Sequence, residues 1–383
     1  MSKIRIGVIF GGRSGEHEVS LVSAASVIQN LDKKKYEVIP IGITKQGSWI
    51  SSPTILDELK EGSGISKLPY FLSTDPSNQG LIPLKQTSEV QSIDVFFPVL
   101  HGSYGEDGKI QGLFEMAGIP YVGAGVLGSA LGMDKVIQKQ LYGQVHLPIT
   151  PYYFFTRKKW EEDKHPILDD IEIRLKFPMF VKPANMGSSV GISKAKNKDQ
   201  LLQAIHEAAK YDSKILIEQG VLNAREIEFS VLGNDDPICS EPGEIKPSGE
   251  FYDYNSKYVD GRSELFIPAP LEHELKEKMK RDALAAYGVL NVKGMARVDF
   301  LLENQSERYV ISEINTIPGF TSISMYPKLW EHSGISYQDL LDRLITLAIE
   351  EHKDKERNKL SFETQNWYNT GYETDLVENQ TPE

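Results

Sequence analysis

Short apolar runs alternate with amphipathic stretches over the first third of the chain, which predicts strands and helices in turn. "KIRIGVIF" reads as a buried strand running into Gly11-Gly12, and a helix follows at about 16–30 with Val19, Val22, Ala25 and Val27 on roughly one face. "YEVIPIGI" is the next strand, and "IDVFFPVLHG" a third that ends at His101. A helix from Asp107 and a strand "IPYVG" complete a parallel α/β domain. The polar, Gly/Ser/Pro-rich stretch 46–92 is expected to be an insertion of hairpins or loops outside the sheet core.

From Gly123 the pattern changes. It predicts a helix at about 127–143, strands "YYFFT" and "FPMFVKP", a charged helix at 198–210 and the strand "KILIEQ". Beyond residue 220, "EIEFSVLG", "ELFIPAP", "ARVDFLL" and "RYVISEIN" read as strands, with the helix "LEHELKEKMKRDALAAYG" among them. We therefore expect domains at 1–123, 124–219 and 220–352, with a polar tail at 353–383. Three units suit 383 residues, because single cores stop growing at roughly 250–300 residues.

A formal charge of −12 argues against a nonspecific nucleic-acid or anionic-membrane binder. The lone Cys239 precludes an intramolecular disulfide and reads as a buried structural thiol. The N-terminal apolar run is too short for a signal peptide, and the uncharged stretch 116–133 carries five glycines and a proline, so a cytoplasmic protein is expected.

Candidate chemistry gathers in a few places. "GAGVLG" (123–128) has the glycine spacing of a dinucleotide turn, but no Asp or Glu lies between Lys135 and Trp160 to hold a ribose. In "FVKPANMGSSVGISK", Lys182 follows an apolar strand and precedes a glycine–serine loop suited to phosphate. Lys135 in "GMDK" is a second candidate phosphate ligand. Strand periodicity turns Glu313 and Asn315 to one side, where Asp299 on the neighbouring strand can join them, with Arg297 as partial counter-charge. Such an all-oxygen set suits Mg²⁺. His101 ends a strand in "HGSYGEDG", and Glu16 follows the first glycine turn, where it can cap the helix or hold a substrate ammonium. The polar, tyrosine-rich stretch 242–264 reads as a lid loop.

Taken together, "GGRSGEHEVS", "HGSYGEDG", "MDK", "VKPANMGSSVGISK", "EQGVLNAREIEFSVLG", "YDYNSKY", "ARVDF" and "EINTIPGFTSISMYPKLW" resemble the D-alanine–D-alanine ligases, of the ATP-grasp family, over about residues 4–350. The resemblance implies an α/β (α+β overall) fold, with a Rossmann-like N-terminal domain and central and C-terminal ATP-grasp domains. ATP would lie between the last two. It implies Lys135, Lys182 and Ser189 at the phosphates, Glu218 and Val221 at the adenine, and Glu228 at the ribose. Asp299, Glu313 and Asn315 would hold two Mg²⁺ ions, or Mn²⁺ in their place. Glu16, with His101 nearby, would take the ammonium of a first D-alanine, and Ser324 and the Met325 backbone the carboxylate of a second. Arg297 and the Gly319 N–H would meet the oxyanion, with Lys257 and Tyr258 on the lid at the reacting centre and a Ser188–Tyr258–Glu16 relay as one route for the amine proton. A homodimer and a role in peptidoglycan precursor synthesis are also implied. "YDYNSKY" favours an amine over D-lactate as second substrate and leaves D-serine open.

Overall fold

The computed structural model describes residues 2–63, 68–84, 90–246, 264–304, 306–321 and 323–359. Its elements fall around three sheets. The first unit contains β1 (Ile4–Gly11), α1 (His17–Asn30), β2 (Tyr36–Ile43), β3 (Trp49–Ser51), α2 (Ile55–Lys60), β4 (Tyr70–Leu72), β5 (Gly80–Pro83), β6 (Gln91–Ser92), β7 (Val95–Val99) and α3 (Lys109–Met116). Strand order is β6-β5-β4-β3-β2-β1-β7, with β1 parallel to both β2 and β7.

Three expectations change here. The stretch 46–92 is not outside the sheet: four of its short strands extend one edge antiparallel to β2 and to each other. Strands of two to four residues leave too little alternation to be seen in sequence. "IPYVG" makes only a single parallel bridge, Tyr121 to Phe96. On α1 the buried face carries Val19, Leu21, Ala24 and Val27, whereas Val22 is exposed.

The second unit runs α4 (Val126–Met133), α5 (Lys135–Gln144), β8 (Tyr152–Thr156), α6 (Arg157–Glu162), α7 (His165–Arg174), β9 (Met179–Pro183), β10 (Ser193–Ala195), α8 (Lys198–Ala208) and β11 (Lys214–Gln219), with strand order β10-β9-β11-β8. The single helix expected at 127–143 is two helices. Asp134 is extended between them, and its carboxylate accepts from Val136 N–H at 3.0 Å and Ile137 N–H at 3.1 Å. That cap restarts the chain as a new helix whose first residue is Lys135. The glycines of "GAGVLG" serve packing rather than a dinucleotide: a Cβ on Gly128 would lie 2.7 Å from the Asn291 carbonyl oxygen.

The third unit holds β12 (Ala224–Gly233), β13 (Ile238–Cys239), β14 (Gly243–Lys246), β15 (Glu264–Phe266), α9 (His273–Val289), β16 (Gly294–Glu303), β17 (Tyr309–Asn315), α10 (Met325–His332) and α11 (Tyr337–Glu356). Its sheet runs β15-β14-β12-β16-β17, with β13 also paired to β12. Cys239 is buried here, and burial pushes its thiol up to about 12, so it stays a thiol. Both ends of the expected lid are strand, since β14 and β15 pair from Glu244↔Phe266 to Lys246↔Glu264; residues 247–263 between them lie outside the described residues.

The final helix returns to the start of the chain. Leu340, Leu341, Leu344 and Ile345 of α11 share one core with Ile6 and Val8 of β1 and Phe97 of β7. Tyr337 Oη donates to the Phe320 carbonyl at 3.0 Å and lies 3.1 Å from Ser26 Oγ on α1. The first sheet is thereby fixed against the loop that follows β17. Leu344→Ala should destabilise the protein by about 2–5 kcal/mol, measured as a shift in the chemical-denaturation midpoint; a change under about 0.5 kcal/mol would show that this seam does not support the fold.

Candidate active site

Three adjacent strands set the centre of the site. Glu228 on β12 is in register with Asp299 on β16, and Asp299 with Glu313 on β17, while Asn315 is opposite Arg297. Like charges directly opposite on a sheet repel, so this row needs cations. Arg297 grips Asp299 with two bonds of 2.8 Å, and its Nε lies 3.0 Å from Glu228 Oε2. Lys135 Nζ lies 3.2 Å from Glu313 Oε2 and donates to the Met186 carbonyl at 2.8 Å. This row thus sets three carboxylates beside Arg297 and Lys135.

Two clefts of about 950 Å³ each meet at this row, and Glu228 and Glu313 line both. The inner cleft opens at the ends of β1 and β7. Glu16 precedes α1 but makes no side-chain cap; its carboxylate accepts from Ser188 Oγ instead. Two glycines make room for it: a Cβ on Gly102 would lie 2.5 Å, and on Gly187 2.9 Å, from Glu16 Oε2. His101 lines this cleft, but its ring is tied inward. Nδ1 donates to the Ile317 carbonyl at 3.1 Å, leaving Nε2 to accept from Ser23 Oγ at 3.2 Å. Burial lowers the His101 pKa, so the ring is held neutral.

At the far wall stand Gly319, Ser324 and Met325. Ser324 Oγ accepts from Thr321 N–H at 3.0 Å and lies 2.7 Å from Thr321 Oγ1, while Met325 begins α10. A Cβ on Gly319 would lie 2.7 Å from Ser324 Oγ, so a side chain there would displace that hydroxyl.

The outer cleft joins Lys182 and Ser189 to Glu218 and Val221, with Phe180, Ile192, Leu301 and Ile311 as apolar walls. Glu218 is buried between two ammonium groups: Lys182 Nζ lies 2.5 Å from Oε2, and Lys139 pairs with Oε1. Burial alone would raise the Glu218 carboxyl, but Lys139 and Lys182 outweigh it and hold it down at about 2. Ser188 and Ser189 both adopt positive φ, 46° and 58°. Ser188 lines the inner cleft and Ser189 the outer. Lys257 and Tyr258 lie outside the described residues.

Several groups escaped the sequence reading. Lys139 sits one helical turn after Lys135, a spacing that was there to be read. Glu226 lines the outer cleft two residues before Glu228. Glu106, in "HGSYGEDG", is buried and accepts from Gly102 N–H at 2.6 Å and Ile317 N–H at 3.3 Å. Burial, then the nearby Glu16 charge, raises its pKa to about 8.

Among the described residues no three of His, Cys, Asp or Glu are already gathered as a metal cage. The donors nonetheless fit Mg²⁺ in kind. Asp299, Glu313 and Asn315 offer oxygen ligands along the carboxylate row, and a carboxylate oxygen has a second lone pair when one is given to Arg297. No helix among the described residues is long and apolar enough to cross a membrane.

Because native Glu106 holds a proton that the unfolded chain releases near pH 4.5, its contribution to stability is full below that pH and lost as pH rises toward 8. Glu106→Gln should flatten the fall in unfolding free energy between pH 5 and 8 by on the order of 1 kcal/mol per pH unit, read by denaturation at several pH values. Parallel wild-type and variant profiles would refute a raised Glu106.

Residues 5–124 match the family described as D-ala D-ala ligase N-terminus, and residues 141–346 match D-ala D-ala ligase C-terminus. The chain is 52% identical to the D-alanine–D-alanine ligase of Natranaerobius thermophilus, over 94% of this chain and 99% of that protein. It is 50% identical to the enzyme of the same name from Heliobacterium modesticaldum, over 94% and 98%. Among solved structures it is similar to the VanG D-Ala:D-Ser ligase from Enterococcus faecalis (TM-score 0.81, 37% identity, 91% of this chain and 100% of that one). It is also similar to the D-alanine-D-alanine ligase from Coxiella burnetii (TM-score 0.80, 34% identity, 93% and 97%). With both family matches in order along one ATP-grasp fold, the chain belongs to the D-alanine–D-alanine ligase family.

Proposed function

We propose that the protein is an ATP-dependent, ADP-forming ligase that joins two D-alanines into D-alanyl-D-alanine for peptidoglycan precursors, acting in the cytoplasm as a homodimer. The observation that carries this reading is the meeting of two clefts at a shared row of carboxylates, because the reaction needs a nucleotide and an amino-acid pair in contact at one phosphoryl group.

Lys135 and Lys182 bind the phosphates, with Ser189 and the backbone of 187–191 closing over them. Glu218 and Val221 hold the adenine against the apolar wall. The ribose falls to Glu226 rather than Glu228, because Glu228 is engaged with Arg297 while Glu226 lines only the outer cleft. Asp299, Glu313 and Asn315 hold two Mg²⁺ ions, with Mn²⁺ able to replace them. When bound, the metal neutralises phosphate charge and aligns the terminal phosphoryl group.

Glu16 receives the ammonium of the first D-alanine, whose carboxylate takes the terminal phosphoryl group of ATP and releases ADP. Ser324 and the Met325 N–H hold the carboxylate of the second, as helix N-termini do for anions. Its amine attacks the acyl phosphate, and inorganic phosphate leaves. Arg297 and the Gly319 N–H stabilise the oxyanion, a donor of this kind contributing about 10²–10³ in rate. Ser188, bonded to Glu16, forms with Tyr258 a path for the amine proton, and Lys257 reaches the terminal phosphate. His101 acts as a brace through Ile317 and Ser23.

Purified protein with ATP, Mg²⁺ and D-alanine should form dipeptide and phosphate in equal amounts, and chelation should stop both. Phosphate release that requires added D-serine would instead assign a D-alanine–D-serine ligase, the activity named for the VanG neighbour. Glu313→Ala should lower turnover about a hundredfold or more while the thermal midpoint stays within a few degrees; near-normal activity would remove Glu313 from the metal site.

A further inference from the structure

Helix α5 delivers two buried ammonium groups four residues apart, one to each cleft: Lys135 reaches Glu313, and Lys139 reaches Glu218. The Glu218 carboxylate is therefore doubly neutralised, by Lys139 on Oε1 and Lys182 on Oε2. The two lysines are not equivalent. Lys139 has a side-chain exposure of 3% and sits on a helix, with Thr150 Oγ1 3.4 Å from both its Nζ and Glu218 Oε1. Lys182 is 13% exposed and borders the glycine–serine loop. A buried carboxylate stays ionised only beside a counter-charge, so if Lys182 turns to the phosphates, one cation must remain.

We infer that Lys139 is a specificity-determining positioning residue: it is the permanent counter-ion that keeps Glu218 an acceptor-only carboxylate toward the nucleotide base when Lys182 is drawn to the phosphates. This rests on the placement of Glu218 at the adenine given above. An ionised carboxylate accepts from the 6-amino group of adenine and repels the 6-oxo oxygen of hypoxanthine or guanine. Without Lys139, Lys182 stays behind to neutralise Glu218, or Glu218 takes up a proton and becomes a donor that tolerates a 6-oxo purine. The first course lowers affinity for every nucleotide alike, and the second weakens the preference for ATP.

The test compares kcat/KM for ATP and for inosine triphosphate, with equilibrium binding of ADP and inosine diphosphate as a readout free of turnover. Lys139→Met should lower the ATP-over-inosine-triphosphate ratio about tenfold or more, with the loss mainly in KM. Lys139→Arg should restore much of it. In a Glu218→Gln background Lys139→Met should cost little further, since the amide needs no counter-ion. A folded Lys139→Met enzyme with the wild-type ratio overturns the inference. If Lys139→Met alone does not fold, the double variant decides: a further loss of nucleotide affinity beyond Glu218→Gln makes Lys139 merely structural and overturns it. If Glu218→Gln itself leaves the ratio unchanged, the adenine placement of Glu218 fails and takes the inference with it. A ratio lowered by Glu218→Gln but not by Lys139→Met refutes only the role of Lys139.

Discussion

Electrostatic repulsion along one sheet face is the constraint from which the rest of the site follows. Three neighbouring strands align Glu228, Asp299 and Glu313, which is unfavourable unless cations are brought to them. The sheet supplies one from within, since Arg297 is two residues before Asp299 and so projects to the same side. The other comes from another unit, as Lys135 at the start of α5. That same ammonium donates to the Met186 carbonyl, so neutralising the row also anchors the glycine–serine loop. The row's carboxylate and amide oxygens suit a divalent cation, and the row is where the clefts meet.

Position of the first unit follows from packing rather than charge. The apolar face of α11 closes the core over β1 and β7, which fixes the ends of those strands against the segment following β17. His101 and Glu106 bridge that seam, His101 through the Ile317 carbonyl and Glu106 through the Ile317 N–H. Glu16 therefore reaches Ser188 from a residue 172 positions away in the chain. A neutral His101 and a protonated Glu106 suit this role, because neither adds net charge to a buried seam near Glu16.

The strands that matter most were legible because they are long and buried: β1, β2, β12, β16 and β17 read as apolar runs, and period-2 spacing placed Asp299, Glu313 and Asn315 together. Features fixed by partners distant in the chain were not legible. Glu106 and Lys139 look like surface charges until Ile317 and Glu218 are found against them. The edge strands β3 to β6 are too short for a pattern, and Val22 follows the periodicity yet faces outward. The break at Asp134 was readable as a capping residue but was masked by apolar residues on both sides.

The glycine–serine loop shows why this site needs side chains where a P-loop relies on backbone N–H groups. Two successive non-glycine residues in the left-handed region cost on the order of 1–3 kcal/mol each, so Ser188 and Ser189 are held there against local preference. The hydrogen bond from Ser188 to buried Glu16 offsets part of that cost, and it exists only when the loop lies against the first unit. Adjacent hydroxyls then serve different clefts, one beside Glu16 and one beside Lys182. A loop wrapped on a helix N-terminus would turn its donors toward the nucleotide alone. Here the loop is stabilised by a carboxylate that lines the inner cleft, so in the proposed reaction nucleotide enclosure and amino-acid binding would act on the same few residues.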